Sequence, residues 1–232
     1  MTVSAEVKLL DQNTANQIAA GEVVEKPASV VKELVENALD AGAGKIDVTI
    51  FEGGTQYIRV ADDGSGMTEA NAKLAVLRHA TSKIRAAEDL MSLHTLGFRG
   101  EALPSIASVS NFQLLTRPAD EEFATSIRID GGEQTECQQT GGQAGTTVIV
   151  ENLFFNVPAR RKFLRTNATE GRYINELLTR LALSRPDVRF KLVSNDKEVL
   201  STPGNGSLFD AITALYGKKV SDEPFKSEFY RH

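Results

Sequence analysis

Residues 33–43 read ELVENALDAGA, and how this stretch sits on a helix decides how the rest of the chain is read. Pro27 is well placed to open that helix, and the AGAG after Asp40 supplies its stop. On a wheel of about 3.6 residues per turn, Val30, Val31, Leu34, Val35, Ala38, Leu39 and Ala41 cover roughly half the circumference, while Lys32, Glu36 and Asp40 point away from it. Glu33 and Asn37 fall on the seam between the two faces, one turn apart. Both therefore look along the surface on which the helix packs, which is where a helix lines a pocket.

The segments that follow alternate with period two. KIDVTIF (45–51) and QYIRVA (56–61), joined by EGGT, predict a hairpin. A helical stretch over 68–77 comes next, and then an irregular segment over 79–104 that contains Gly97 and Gly100; long segments of this kind are usually functional. Further strands are expected at FQLLT (112–116), TSIRI (125–129), TTVIVEN (146–152) and RFKLV (189–193), with an amphipathic helix over 170–184. Hairpins with helices inserted between them predict an α+β sandwich with a mostly antiparallel sheet.

The chain has 232 residues, 41% of them hydrophobic and 25% charged, as in an ordinary globular protein with a full core. Its lone Cys137 excludes a disulfide framework or a zinc site built on several cysteines. No secretory leader and no run long enough to span a bilayer is found, so a cytoplasmic protein without a membrane partner is expected. The net charge of −5 hides an asymmetry: residues 1–157 hold 12 Lys and Arg against 22 Asp and Glu, whereas residues 158–191 hold 9 against 3. A polyanion would meet one favourable region, not a generally basic surface.

No GxxxxGK[ST] loop and no GxGxxG after a strand is present. The glycines cluster instead in DDGSGM (62–67) and GFRGEA (97–102). Asp62 falls at a strand end beside Gly64 and Gly66, which let a backbone approach a flat ligand. In GFRGEALPSIASV an arginine and a glycine pair meet a helix start, a setting suited to phosphate oxygens. HATSKI (79–84) adds two hydroxyls and Lys83, while His79 and His94 are too scattered for a metal cluster.

The order of these elements, a helix with ExxxN, a strand ending in DxGxG, then TSK and GFRGEA, then GT entering a strand, resembles the GHKL ATPases. Within that group ANQIAAGEVVEKPASVVKELVENALDAGA, RHATSKI, LGFRGEAL and LFFNVPARRKFL resemble the amino-terminal ATPase domain of the bacterial MutL family of DNA mismatch-repair proteins. The resemblance covers about residues 9–200 and implies a Bergerat-type two-layer α+β sandwich, a mixed and mostly antiparallel sheet with helices on one face. It divides the chain into an ATPase domain, 1–204, and the start of a transducer domain, 205–232.

By the same resemblance the cofactors are ATP and Mg2+. Glu33 is the general base toward the attacking water and Asn37 a neutral oxygen ligand to magnesium, a pairing that leaves one carboxylate free for a proton without adding charge at the metal. Asp62 accepts from the adenine amino group, with Gly66 beside it and Thr146 helping through water. Thr81, Ser82, Lys83, Gly97, Phe98, Arg99, Gly100, Glu101, Ala102 and Leu103 are similar to the lid over the phosphates. Asp63 stands where many relatives carry asparagine and is expected to face the magnesium side or solvent. The family's transducer lysine is expected beyond the end of this chain, Lys218 and Lys219 lying too early for it.

ARRKFLR (159–165) has two readings, a solvated turn with Phe163 as a core anchor, or a contact to DNA backbone through Arg160, Arg161, Lys162 and Arg165, joined by Arg172 and Arg180. The resemblance implies slow ATP hydrolysis that drives closure of two copies into a clamp. Implied partners are a MutS-type mismatch-recognition protein, a downstream nuclease or helicase, and DNA, in a nucleoid-associated bacterial setting. The rivals are another GHKL enzyme such as a topoisomerase subunit, and a scaffold that binds nucleotide and DNA without turnover.

Overall fold

The computed structural model describes residues 20, 21, 23–78, 80 and 100–217. In chain order the elements are α1 (Pro27–Asp40), β1 (Lys45–Phe51), a 3-10 turn (Glu52–Gly54), β2 (Tyr57–Asp62), α2 (Glu69–Ala75), α3 (Ala102–Ala107), β3 (Asn111–Arg117), β4 (Ala124–Asp130), β5 (Glu133–Thr140), β6 (Gly145–Glu151), α4 (Pro158–Phe163), α5 (Asn167–Ser184), β7 (Arg189–Ser194), β8 (Lys197–Ser201) and α6 (Leu208–Tyr216).

The eight strands form one sheet in the order β5-β4-β3-β6-β2-β1-β7-β8. Every neighbouring pair is antiparallel except β1 and β7, so the sheet is mixed and mostly antiparallel. Alternation makes it one-sided. Ile46, Val48 and Ile50 of β1, Ile58 and Val60 of β2, Phe112 and Leu114 of β3, and Val148 and Val150 of β6 are buried under the helices. The intervening residues of these strands stay partly exposed.

α1 lies on β1 and β2 and against α5. Val30, Val31 and Val35 of α1 are fully covered, as are Ile174 and Leu178 of α5, so the two helices and the sheet share one core. The β1–β2 turn allows this closeness because it has no side chains at its tip. A Cβ on Gly53, whose φ is +66°, would collide with the backbone carbonyl of Asn167, and one on Gly54 would lie 2.9 Å from Pro27.

Three features escape the sequence pattern. β5 reads EQTECQQT and β8 reads KEVLS; both are edge strands, exposed along most of their length, so neither shows an apolar alternation. α4 forms a helical turn opened by Pro158. α5 starts at Asn167, before residue 170, because the Thr166 hydroxyl accepts from the Thr169 N–H (3.3 Å). No helix among the described residues is long and apolar enough to cross a membrane.

Gly53→Ala is expected to destabilise the domain by about 2 kcal/mol or more in urea unfolding. An unchanged midpoint means that α5 does not rest on the β1–β2 turn.

Candidate nucleotide site

Register builds the site. Val60, Val148, Leu114 and Ile127 are cross-strand neighbours on β2, β6, β3 and β4, all apolar and buried. Two residues along, the same four strands set Asp62, Thr146, Thr116 and Thr125 in a row. The apolar core therefore ends in a polar strip at one end of the sheet. Thr116 is the residue the sequence reading missed, although a threonine in register with Phe112 and Leu114 was the available signal.

The strip is a connected network. The Thr116 hydroxyl lies 3.0 Å from that of Thr146, accepts from the Met67 N–H (2.9 Å) and reaches the Gly145 carbonyl (3.2 Å). The Asp62 carboxylate accepts from the backbone N–H of Gly64 (2.9 Å) and of Thr146. Burial raises its pKa from an ordinary 3.8 to about 6; those two hydrogen bonds oppose the shift and the charge of Asp63 adds to it.

Glycines hold the loop tight. Gly66 has φ +65°, and a Cβ there would run into the Arg117 carbonyl; one on Gly145, φ +110°, would run into the Asp62 carbonyl. The Ser65 N–H donates to Ala41 at the end of α1 (3.0 Å), which ties the DDGSGM loop to the helix carrying Glu33 and Asn37. Asp63 accepts from the N–H groups of Gly44 and Lys45, both at 2.8 Å. It is exposed to solvent, as expected, and in addition braces the α1–β1 loop.

On α1 both seam residues are half-buried. Lys32 Nζ sits 2.9 Å from Glu36 and 3.5 Å from Glu33, so it pairs with both carboxylates, more closely with Glu36. Burial works against the Lys32 charge, but the hydrogen bonds to Glu36 and Glu33 and the charges of both carboxylates outweigh it and raise its pKa above 10.5. Glu36 was expected to point away, yet only 12% of its side chain is exposed, and the ion pair with Lys32 compensates its charge there.

Gly100, with φ +61°, and Glu101, Ala102 and Leu103 form the approach and first turn of α3, which touches α1. Thr81, Ser82, Lys83, Gly97, Phe98 and Arg99 lie outside the described residues, as do His79 and His94. Among the described residues no group of three or more His, Cys, Asp or Glu gathers as a metal cage. Magnesium held mainly through phosphate oxygens asks few donors of a protein, and half-buried Asn37 carries an uncharged amide oxygen of the kind that fits it. Two clefts lie elsewhere, one of about 520 Å³ between β8 and α6 and one of about 450 Å³ on the open sheet face.

The four basic positions of 159–165 divide. Arg160 is turned inward, its guanidinium 5.9 Å from the Phe154 ring and against Gly21, and desolvation lowers its pKa. Arg161, Lys162 and Arg165 are exposed. Phe163 is 86% exposed, which rules out a core anchor.

The family model described as histidine kinase-, DNA gyrase B-, and HSP90-like ATPase matches residues 25–143. The protein named DNA mismatch repair protein MutL from Symbiobacterium thermophilum is 57% identical over 94% of this chain, and its namesake from Caldanaerobacter subterraneus is 54% identical over 97%. The solved Aquifex aeolicus MutL ATPase domain complexed with ADP aligns at a TM-score of 0.67 and 36% identity, covering 84% of this chain and 70% of that one. The chain belongs to the MutL family of GHKL ATPase domains. This MutL-family chain spans 34% and 38% of the length of the two curated relatives. Its α+β sandwich is the GHKL ATPase fold.

Because the folded domain holds the Asp62 proton more tightly than the unfolded chain does, that group's stabilising contribution is complete below 3.8 and is lost as pH rises through about 6. Relative to the parent, Asp62→Asn is expected to gain up to about 3 kcal/mol between about pH 4 and about pH 7 in urea unfolding. A difference that does not change with pH argues against the buried carboxyl.

Proposed function

We propose that this domain binds ATP with magnesium, hydrolyses it slowly, and acts as the nucleotide-switched part of a mismatch-repair protein. The observation that carries the reading is the Asp62 cradle: a largely buried carboxylate at a strand end, between glycines that bring the backbone close, beside two linked threonines. A flat heterocycle with an amino group fits that chemistry, and adenine presents one. The ADP named with the Aquifex aeolicus domain supports an adenine nucleotide as the ligand.

Glu33 acts as general base toward water: its carboxylate lies on the seam of α1, paired with Lys32 at 3.5 Å and less closely than Glu36 at 2.9 Å, and a carboxylate there can accept a proton. Asn37, one turn on, offers its amide oxygen to magnesium. The metal would neutralise phosphate charge, and an uncharged ligand keeps that effect intact. Gly66 and Thr146 complete the adenine end. Thr81, Ser82, Lys83, Arg99 and the stretch 97–103 close over the phosphates, positioning and neutralising them, which is most of what phosphoryl transfer requires.

In the whole protein, slow turnover suits a switch: the ATP state lasts long enough for two copies to close into a clamp and for partners to read it. The partners are a MutS-type mismatch-recognition protein, a downstream nuclease or helicase, and DNA backbone met through Arg161, Lys162 and Arg165, in the bacterial cytoplasm and on the nucleoid. Residues 1–204 are the ATPase domain, and 205–232 begin the transducer.

Calorimetry and phosphate release test the assignment together. Asp62→Ala and Asn37→Ala are expected to abolish magnesium-dependent ATP binding. Glu33→Ala is expected to retain binding and to slow turnover by about 100-fold or more. Binding that survives both Asp62→Ala and Asn37→Ala puts the nucleotide elsewhere. Turnover unaffected by Glu33→Ala removes it as the base, and binding with no turnover in any form supports the scaffold.

A further inference from the structure

Thr116 is 1% exposed, yet its hydroxyl meets three polar groups: the Met67 N–H at 2.9 Å, the Gly145 carbonyl at 3.2 Å and the Thr146 hydroxyl at 3.0 Å. A hydroxyl has one proton and two lone pairs. The Met67 N–H can only donate, so it takes one lone pair, and the Gly145 carbonyl can only accept, so it takes the proton. The second lone pair is left for Thr146, whose hydroxyl then has to donate. No other assignment makes all three contacts hydrogen bonds, and water does not reach Thr116 to replace one that is lost.

The consequence falls on Thr146, which is half-buried where Thr116 is covered. Thr146 is the register partner of Thr116 on one side and of Asp62 on the other, so the three side chains share one face of the sheet. With its only proton turned toward Thr116, the Thr146 hydroxyl offers lone pairs alone to whatever lies beside Asp62. An ionised Asp62 likewise only accepts. Such an edge suits a donor, an amino group or a water that it orients, and it sets lone pair against lone pair when a base carries a carbonyl there. A hydroxyl free to turn would donate to that carbonyl and lose the distinction. We propose that Thr116 is a positioning residue for base selectivity: by accepting the Thr146 proton it makes the edge beside Asp62 acceptor-only, and so favours an amino purine over an oxo purine. Thr116 touches no substrate and acts through Thr146. The inference rests on the nucleotide reading above and adds to it a residue that discriminates between bases.

The test compares calorimetric Kd values for ATP and for inosine triphosphate, in which a carbonyl replaces the amino group, with magnesium at about pH 8, where Asp62 is ionised. The ratio of the two constants is the readout, because a change in the folded fraction does not move it. The parent is expected to prefer ATP by roughly 100-fold or more. Thr116→Val keeps the branched shape and loses the hydroxyl; it is expected to reduce that preference by roughly ten-fold or more, with inosine triphosphate bound more tightly than by the parent. Thr116→Ser retains a hydroxyl and is expected to keep the parental preference. If Thr116→Val does not fold, Thr116→Cys, whose thiol is a weak donor and a weak acceptor, is read in its place. An unchanged preference in the hydroxyl-free variant overturns the proposal, as does a parent that does not discriminate. A Thr116→Ser variant that loses the preference along with Thr116→Val assigns Thr116 to packing and overturns it too. In each of these cases the adenine site itself stands so long as Asp62→Ala abolishes ATP binding. If Asp62→Ala binds ATP as the parent does, the site reading falls and the proposal falls with it.

Discussion

The structure turns on one partly desolvated carboxylate. Asp62 ends β2 where the apolar rows of the sheet give way to polar ones, and it is tolerated there because the backbone N–H groups of Gly64 and Thr146 point at it. Gly145 and Gly64 allow this, because a Cβ on either would crowd Asp62. A buried acid without such donors would be costly. The raised pKa is the remainder of that cost after the hydrogen bonds have offset part of it.

From this point the constraint spreads to the rest of the site. The loop after Asp62 returns to α1 through Ser65 and Ala41, and Asp63 locks the loop that joins α1 to β1. Glu33 and Asn37 therefore sit on a helix held at its end by the same loop that carries Asp62. α1 is further fixed by packing on β1, β2 and α5, where its valines are fully covered. A rigid scaffold for a few polar groups is what positioning chemistry demands.

The basic region follows a different logic. Arg160 and Arg161 are adjacent in sequence and alike in chemistry, yet one is used to pack α4 onto Phe154 and Gly21 while the other is left in water. Phe154 has φ +64° and is fully buried, with its N–H on the Val109 carbonyl at 2.7 Å. Burial and that hydrogen bond hold an unusual backbone conformation for an aromatic residue. The turn thereby sets the direction in which α4 leaves the sheet, and so which cations are displayed.

Much of this was legible from local pattern. The 3.6-residue period of α1, the alternation of β1, β2, β3, β4, β6 and β7, and the glycines of DDGSGM are local signals, because burial on one face requires them whatever the partner. The seam positions of Glu33 and Asn37 followed from the same period. β5 and β8 were invisible because an edge strand needs no apolar alternation. By itself the sequence determined the sandwich, the family and the positions of the acid and the amide. Only the tertiary structure decided that Thr116 joins Asp62, that Asp63 braces a loop, that Arg160 is inward and that Phe163 is bare. These depend on strand register and on which surface a side chain meets, and both are settled by contacts between residues far apart in the chain.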